Sequence, residues 1–117
     1  MKDIEMKREN AELRVTLGTK LTAIETPELQ TLLKEKIAGG IRSLIFDLKK
    51  TATLDSTGIG LLVAANNSVI GVQGQIKLVH VSADILRLLK SMRLADRLHA
   101  TAEEGRFGGG EGGGMGG

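Results

Sequence analysis

The sequence predicts an α/β fold, namely an open mixed β-sheet of four to five strands with helices packed on one face. Two N-terminal segments alternate apolar and polar residues, as half-buried strands do. The densest apolar run, residues 41–48, suits a central strand covered by helices. Strand-like and helix-like segments then alternate in the order ββαβαβα, followed by a short edge strand over residues 98–102. Such crossovers place the helices on one face of the sheet.

The first half of the chain contains a hairpin and a helix. Residues 4–7 and 13–17 have the period of two, and residues 9–11 between them predict the hairpin turn. The first helix is expected to begin with Thr26 as N-cap and Pro27 at the first helical position. Residues 39–40, both glycine, end it. Its inward stripe comprises Leu29, Leu32, Leu33 and Ile37.

The second half repeats the pattern twice. A second helix is predicted over residues 56–72, a strand over 75–81 and a third helix over 84–92. Asn66 falls on the inward face of the second helix, where a satisfied buried amide is favoured over a binding role. The third helix is expected to bury Ile85, Leu88 and Met92, and to leave Leu86 and Leu89 outside that stripe as a candidate partner patch. The second helix is expected to bury Ile59, Leu62, Val63, Val69 and Ile70.

Length and composition limit the class of protein. A chain of 117 residues is one domain; residues 1–107 carry the fold, and residues 108–117 form a glycine-rich tail expected to be disordered. The chain lacks cysteine, so disulfides and thiolate metal sites are excluded. Interspersed charges with a net charge of +2 and only two aromatic residues argue against nucleic-acid binding. Without a long apolar run or a secretory signal, no membrane insertion is expected, and the predicted location is cytoplasmic.

The most informative motif is Asp55-Ser56-Thr57-Gly58-Ile59-Gly60, between the central strand and the second helix. It puts two hydroxyls at a helix N-terminus, where outward N–H groups and the helix dipole favour negative charge. A phosphate on Ser56 is therefore tolerated by the local backbone, which favours a serine switch over catalysis. Thr57 is the competing acceptor, and both hydroxyls also suit a simple capping role. Asp55 either caps the helix or orients the serine, and Gly58 and Gly60 leave room for a partner to approach.

Other chemistries find little support in the sequence. The glycines do not form a dinucleotide fingerprint, because Val63 stands where a third small residue belongs. A phosphate-binding loop is missing as well, so no cofactor is expected. His80 and His99 are interpreted as strand residues rather than metal ligands. No catalytic set is indicated by spacing, and the chain is predicted not to be an enzyme.

The chain resembles the STAS domain family, the single-domain anti-sigma factor antagonists of bacteria. The resemblance is carried by the motif from Asp55 to Gly60, together with Val79-His80-Val81-Ser82, Ile85 to Leu89 and Leu94 to Leu98. The resemblance runs from about residue 3 to residue 102. It implies that the unphosphorylated chain binds an anti-sigma serine kinase with a histidine-kinase-like ATPase fold, which frees a sigma factor. The kinase then phosphorylates Ser56, and a metal-dependent serine phosphatase restores the binding form. The implied partner-binding residues are Thr22, Asp55, Ser56, Thr57, Gly58, Ile59 and Gly60.

One departure from the family bears on the partner. The family carries an aspartate where this chain has Thr22, and Lys20 replaces an acid. These changes leave an alternative function open, in which the chain is a STAS subunit that binds the ATPase of a lipid-transporting ABC system. The third hypothesis is a small nucleotide-binding enzyme, and the missing phosphate-binding loop of this chain argues against it.

Overall fold

The computed structural model describes residues 4–102, so the predicted boundary between domain and tail lies outside the described residues. The chain order within this range is β1 (Glu5–Glu9), β2 (Glu12–Thr16), β3 (Lys20–Leu21), α1 (Thr26–Ala38), β4 (Ser43–Asp47), β5 (Thr53–Leu54), α2 (Ser56–Gly71), β6 (Gln75–Val81), α3 (Ala83–Ser91) and β7 (Ala100–Ala102).

The main sheet has five strands in the order β1-β2-β4-β6-β7. β1 and β2 form an antiparallel hairpin, and all other neighbours are parallel. Each crossover moves one position in the same direction, and the right-handed rule then puts α1, α2 and α3 on one face. The predicted open mixed sheet with helices on one face is confirmed.

The core lies between this sheet and the helices. Alternate residues of the three inner strands are buried, and the residues between them face the other side. Phe46, in the middle strand β4 of this sheet, is completely buried. The other buried strand residues of this face are Leu13, Val15, Leu44, Ile76, Leu78 and Val81.

The inward stripe of α2 is wider than predicted. Leu61 and Ala65 are buried as well as Ile59, Leu62 and Val69, because α2 packs against both α1 and β6. Ile70 was expected inside but is 56% exposed, which makes that prediction wrong. At about 100° per residue, Ile70 falls at the rim of the buried arc, beside the half-buried Val63.

The stripe predicted for α3 is confirmed for Ile85 and wrong for Leu88 and Met92. Ile85 and Leu89 are buried, and Leu86 packs against the core. Leu88 and Met92 are instead 38% and 46% exposed. Spacings of three and four residues both fit a helical stripe, and the sequence alone favoured the wrong one. Leu86 and Leu89 therefore form no exposed partner patch.

A second sheet, not predicted from the sequence, pairs β3 with β5 in parallel. Lys20 lies opposite Thr53, and Leu21 lies opposite Leu54. The buried Thr51 anchors the approach to β5, because its hydroxyl donates a 2.8 Å hydrogen bond to the carbonyl of Gly18. This small sheet brings the loop before α1 against the loop before α2.

A buried carboxylate lies on the sheet face away from the core. Asp47 follows Phe46 and points the opposite way, with a side chain only 2% exposed. It accepts a 2.9 Å hydrogen bond from Arg14 and another, of 3.0 Å, from the N–H of Lys49. His80 Nδ1 lies 3.0 Å from its Oδ1. Burial alone would raise the pKa of Asp47, but the donors of Lys49, His80 and Arg14 hold the pKa below its ordinary value of 3.8.

The two histidines differ in their settings. His80 lies in β6, as predicted, with a φ of 56° that is unusual for a non-glycine residue. The irregular register of β6 at this point turns His80 toward Asp47. His99 was predicted as a strand residue but lies in the turn before β7, where its Nδ1 is 2.8 Å from the carbonyl oxygen of Ile76.

Candidate functional site

The site is built around the first turn of α2, which begins at Ser56 as predicted. Asp55 caps this helix. Its Oδ1 accepts a 2.8 Å hydrogen bond from the N–H of Gly58, and its main-chain oxygen accepts one from Ile59. The cap satisfies one of the N–H groups that a helix start leaves without a partner. Of the two roles considered for Asp55, capping is therefore the one formed in the structure.

Asp55 also ties the two loops together. Its second carboxylate oxygen, Oδ2, accepts a 3.2 Å hydrogen bond from the N–H of Ala23. The N–H of Asp55 in turn lies 3.4 Å from the carbonyl oxygen of Leu21. These bonds bring the loop that contains Thr22 next to the loop that contains Ser56, two residues that the family resemblance names together as partner-binding.

The two glycines of the motif have different surroundings. Gly58 is buried, and a Cβ added to it would lie 2.1 Å from the carbonyl oxygen of Leu21. Gly60 is exposed, and a Cβ there would meet nothing within 4 Å. Gly58 therefore serves the internal contact between α2 and β3, whereas Gly60 leaves open surface.

Only part of the motif is accessible from outside. Ser56, Thr57 and Gly60 are exposed, and Asp55 is half-buried. Ile59, like Gly58, is buried and packs in the core. Ser56 and Gly60 are one turn apart on the same side of α2, so a partner that reaches the serine also meets this bare surface.

Thr22 belongs to a hydrogen-bonded turn that the sequence analysis missed. Glu25 Oε1 accepts hydrogen bonds from both the N–H and the hydroxyl of Thr22, at 2.8 and 2.7 Å. The carbonyl of Thr22 accepts from the N–H groups of Glu25 and Thr26, both at 3.1 Å. These bonds with Thr22 lower the pKa of Glu25. The pattern T-x-x-E, which is typical of a capping box, was available in the sequence, but here it closes a turn ahead of the helix.

This turn corrects the predicted start of α1. Thr26 was expected to be the N-cap, but it is the first helical residue and is buried. Glu25 occupies the cap position without a side-chain bond to the helix. The chain thus enters α1 through the locked turn at Thr22 rather than through a cap at Thr26.

The Thr22 hydroxyl is expected to stabilise the fold. Thr22→Val removes the hydroxyl's bond to Glu25 but keeps the bond from the N–H of residue 22, so a modest loss of unfolding free energy is expected. Thermal unfolding should show a melting temperature lower by about 4 °C. Thr22→Ser keeps the hydroxyl and serves as control. Equal melting temperatures for the valine and serine variants would contradict a stabilising hydroxyl.

Other residues considered in the sequence lie apart from this site. Asn66 is buried, as predicted, at 4% exposure. Its side chain forms no hydrogen bond to any of residues 4–102, so the expected satisfied amide is not found there.

Within residues 4–102, no three acidic or histidine side chains are grouped so as to hold a metal ion. No helix of the described chain is long and apolar enough to cross a membrane.

The order of elements and the capped hydroxyl-bearing helix start have a counterpart among known families. A match to the family described as the STAS domain extends over residues 3–105. The chain therefore belongs to the STAS domain family, as its motifs predicted.

Particular relatives narrow the comparison. A Staphylococcus aureus protein named anti-sigma-B factor antagonist is 28% identical over 97 residues, which cover 83% of this chain and 90% of the relative. The anti-sigma factor antagonist SpoIIAA, solved in its unphosphorylated form, is similar with a TM-score of 0.68. The identity is 15%, over 74% of this chain and 81% of that one.

Two further solved structures show how widely the fold is used. The phosphorylated form of Bacillus SpoIIAA matches with a TM-score of 0.71 and 15% identity, over 86% of this chain and 92% of that one. The murine anion transporter Slc26a9 matches with a TM-score of 0.66 and 17% identity, over 84% of this chain but 17% of the transporter. At these identities the likeness concerns the fold alone.

Proposed function

We propose that this chain is an anti-sigma factor antagonist, a cytoplasmic regulatory protein without catalytic activity of its own. Its unphosphorylated form binds an anti-sigma serine kinase and frees a sigma factor. The observation that mainly supports this proposal is the exposed Ser56 at the first position of a capped helix. The anti-sigma-B factor antagonist similar over most of the chain supports it further.

The proposed switch acts through charge at this helix start. A phosphate on Ser56 adds about −1.5 to −2 charges, and the positive end of the α2 dipole favours charge of that sign. The folded chain therefore tolerates the modification. In the complex, the same phosphate replaces a buried hydroxyl contact with an unpaired charge, which weakens binding by about 100-fold or more.

The residues of the motif have different roles in the proposed switch. Ser56 accepts the phosphate, and Thr57 is the neighbouring hydroxyl that competes for it. Gly60 lets the kinase approach α2 closely, while Asp55 and Gly58 hold the helix start in position. Ile59 and Thr22 support this arrangement from the core and from the adjoining turn. A metal-dependent serine phosphatase would return the chain to its binding form.

Phosphorylation by the anti-sigma kinase of the same genome tests the proposal. With Mg-ATP, mass spectrometry should find one phosphate, on Ser56. The Ser56→Ala variant should not be modified but should bind the kinase with Mg-ADP, whereas Thr57→Ala, the matched control, should be modified normally. Ser56→Asp should bind more weakly and remain folded, because an acid at a helix N-terminus is favourable by about 0.3–1 kcal/mol.

The outcomes separate the hypotheses. Phosphate on Thr57 would show the acceptor to be wrong while the switch survives. If neither hydroxyl is modified and the wild type does not bind the kinase, the antagonist function fails. The subunit of a lipid-transporting ABC system would then be the hypothesis to test, by asking whether its ATPase co-purifies with this chain.

A further inference from the structure

The most exposed large apolar side chain among residues 4–102 lies beside the proposed phosphorylation site. Ile24 is 84% exposed, compared with 56% for Ile70, the next most exposed. Its neighbour Ala23 donates a hydrogen bond to Asp55, and Ser56 follows Asp55 directly. A single exposed apolar residue is ordinary on a protein surface. Ile24 differs from an ordinary exposed residue because it lies beside Ser56 and because hydrogen bonds fix its backbone.

Hydrogen bonds fix the backbone of Ile24 and of both neighbouring residues. The N–H of Ile24 lies 3.3 Å from the hydroxyl oxygen of Thr22, and the N–H of Glu25 bonds to the carbonyl of Thr22. Ala23 is bonded to Asp55, as described above. The turn therefore holds the backbone of the isoleucine in place, so little backbone entropy remains to be lost when a partner covers it.

The distance between Ile24 and Ser56 is short on the scale of an interface. Covalent geometry across the Ala23–Asp55 hydrogen bond allows at most about 15 Å between their Cα atoms. A standard interface of about 800 Å² per partner is a patch roughly 30 Å across. A patch of that size centred on Ser56 extends about 15 Å from it and so reaches Ile24.

We propose that Ile24 is the apolar anchor with which this chain docks onto its anti-sigma kinase, and that the kinase carries an apolar pocket for it. This inference rests on the function proposed above. Because the terminal phosphate of ATP must reach Ser56, the pocket lies within roughly 25 Å of that phosphate once the lengths of the two side chains are added to the Cα distance. Ile24 provides binding energy without taking part in phosphate transfer, so its removal changes affinity rather than chemistry.

Binding to the kinase of the same genome, with Mg-ADP, provides the test. Ile24→Ala should weaken binding by about 10-fold or more, the loss expected when a buried anchor is truncated. Ile24→Leu should retain most of the affinity. Ile70→Ala, which truncates an exposed isoleucine in the last turn of α2, should bind within about 2-fold of the wild type. Ile24→Ala should keep the wild-type melting temperature, because the side chain is not part of the core.

Phosphorylation kinetics give a second readout. Ile24→Ala should raise the KM for this chain as substrate and leave kcat unchanged, since the chemical step does not involve the isoleucine. Wild-type affinity for Ile24→Ala, or an equal loss for Ile70→Ala, would overturn the anchor while Ser56 phosphorylation still supports the switch. If the wild type neither binds the kinase nor is phosphorylated, the proposed function fails and the anchor fails with it.

Discussion

Gly58→Ala is expected to lower the unfolding free energy by about 3 kcal/mol or more, a loss typical of severe overpacking. The new Cβ would lie 2.1 Å from the carbonyl oxygen of Leu21 and 2.9 Å from Leu54 Cδ1. The oxygen is backbone, so relief requires α2 to move away from β3. Alanine favours the helix over glycine by about 0.5–1 kcal/mol, which is too little to offset the clash.

Gly60→Ala is the matched control in the same helix. Its Cβ would meet no atom within 4 Å, so only the gain in helix propensity remains. We expect Gly60→Ala to raise the melting temperature by about 2–4 °C, and Gly58→Ala to lower it by roughly 10 °C or more. Thermal unfolding followed by circular dichroism measures both. Similar melting temperatures for the two variants would show that the contact with Leu21 does not constrain the helix.

Asp47→Asn is expected to cost about 2–4 kcal/mol at neutral pH, because it removes a buried charge from its hydrogen-bonding donors. Arg14 and His80 keep 39% and 35% of their side chains exposed, so water compensates part of the loss. Denaturant unfolding of wild type and variant measures the difference. Asp84→Asn is the control, because Asp84 pairs with Arg87 at the surface and is 90% exposed.

The stability difference between the wild type and Asp47→Asn should also depend on pH, in a direction that the pKa of Asp47 determines. The pKa of Asp47 is lowered in the folded state, so its ionised form contributes stability that is fully present above the unfolded pKa, near 3.8. This contribution is lost as the pH falls below that value through the folded pKa. The stability difference between wild type and Asp47→Asn should therefore narrow in acid. A difference that stays constant down to a pH well below 3.8 would contradict the role of the ionised carboxylate.

The sheet and the helix positions followed from local sequence. The alternation in β2, the apolar run around β4 and the glycines after α1 each depend on chemistry within a few residues. The start of α2 at Ser56 was predicted for the same reason, because Asp55 is a preferred cap residue next to an apolar helix.

Features that depend on distant contacts were not predictable in this way. β3 and β5 have two residues each, too short for a periodic signal, and only their pairing makes them strands. The need for glycine at position 58 comes from the backbone of Leu21, which no local pattern reveals. Leu88 and Leu89 in α3 are equally apolar, and the packing of Leu89 rather than its sequence spacing makes it the buried one.

The hydrogen bond between Ala23 and Asp55 joins residues 32 positions apart. The surroundings of the proposed acceptor are therefore assembled from two separate stretches of chain, and no short peptide containing Ser56 reproduces them. Under the proposed function, a kinase that reads these surroundings discriminates between native and misfolded copies. Nascent, damaged or proteolysed chains would escape modification, so the ratio of modified to unmodified protein would report signalling among functional molecules and not the quality of synthesis.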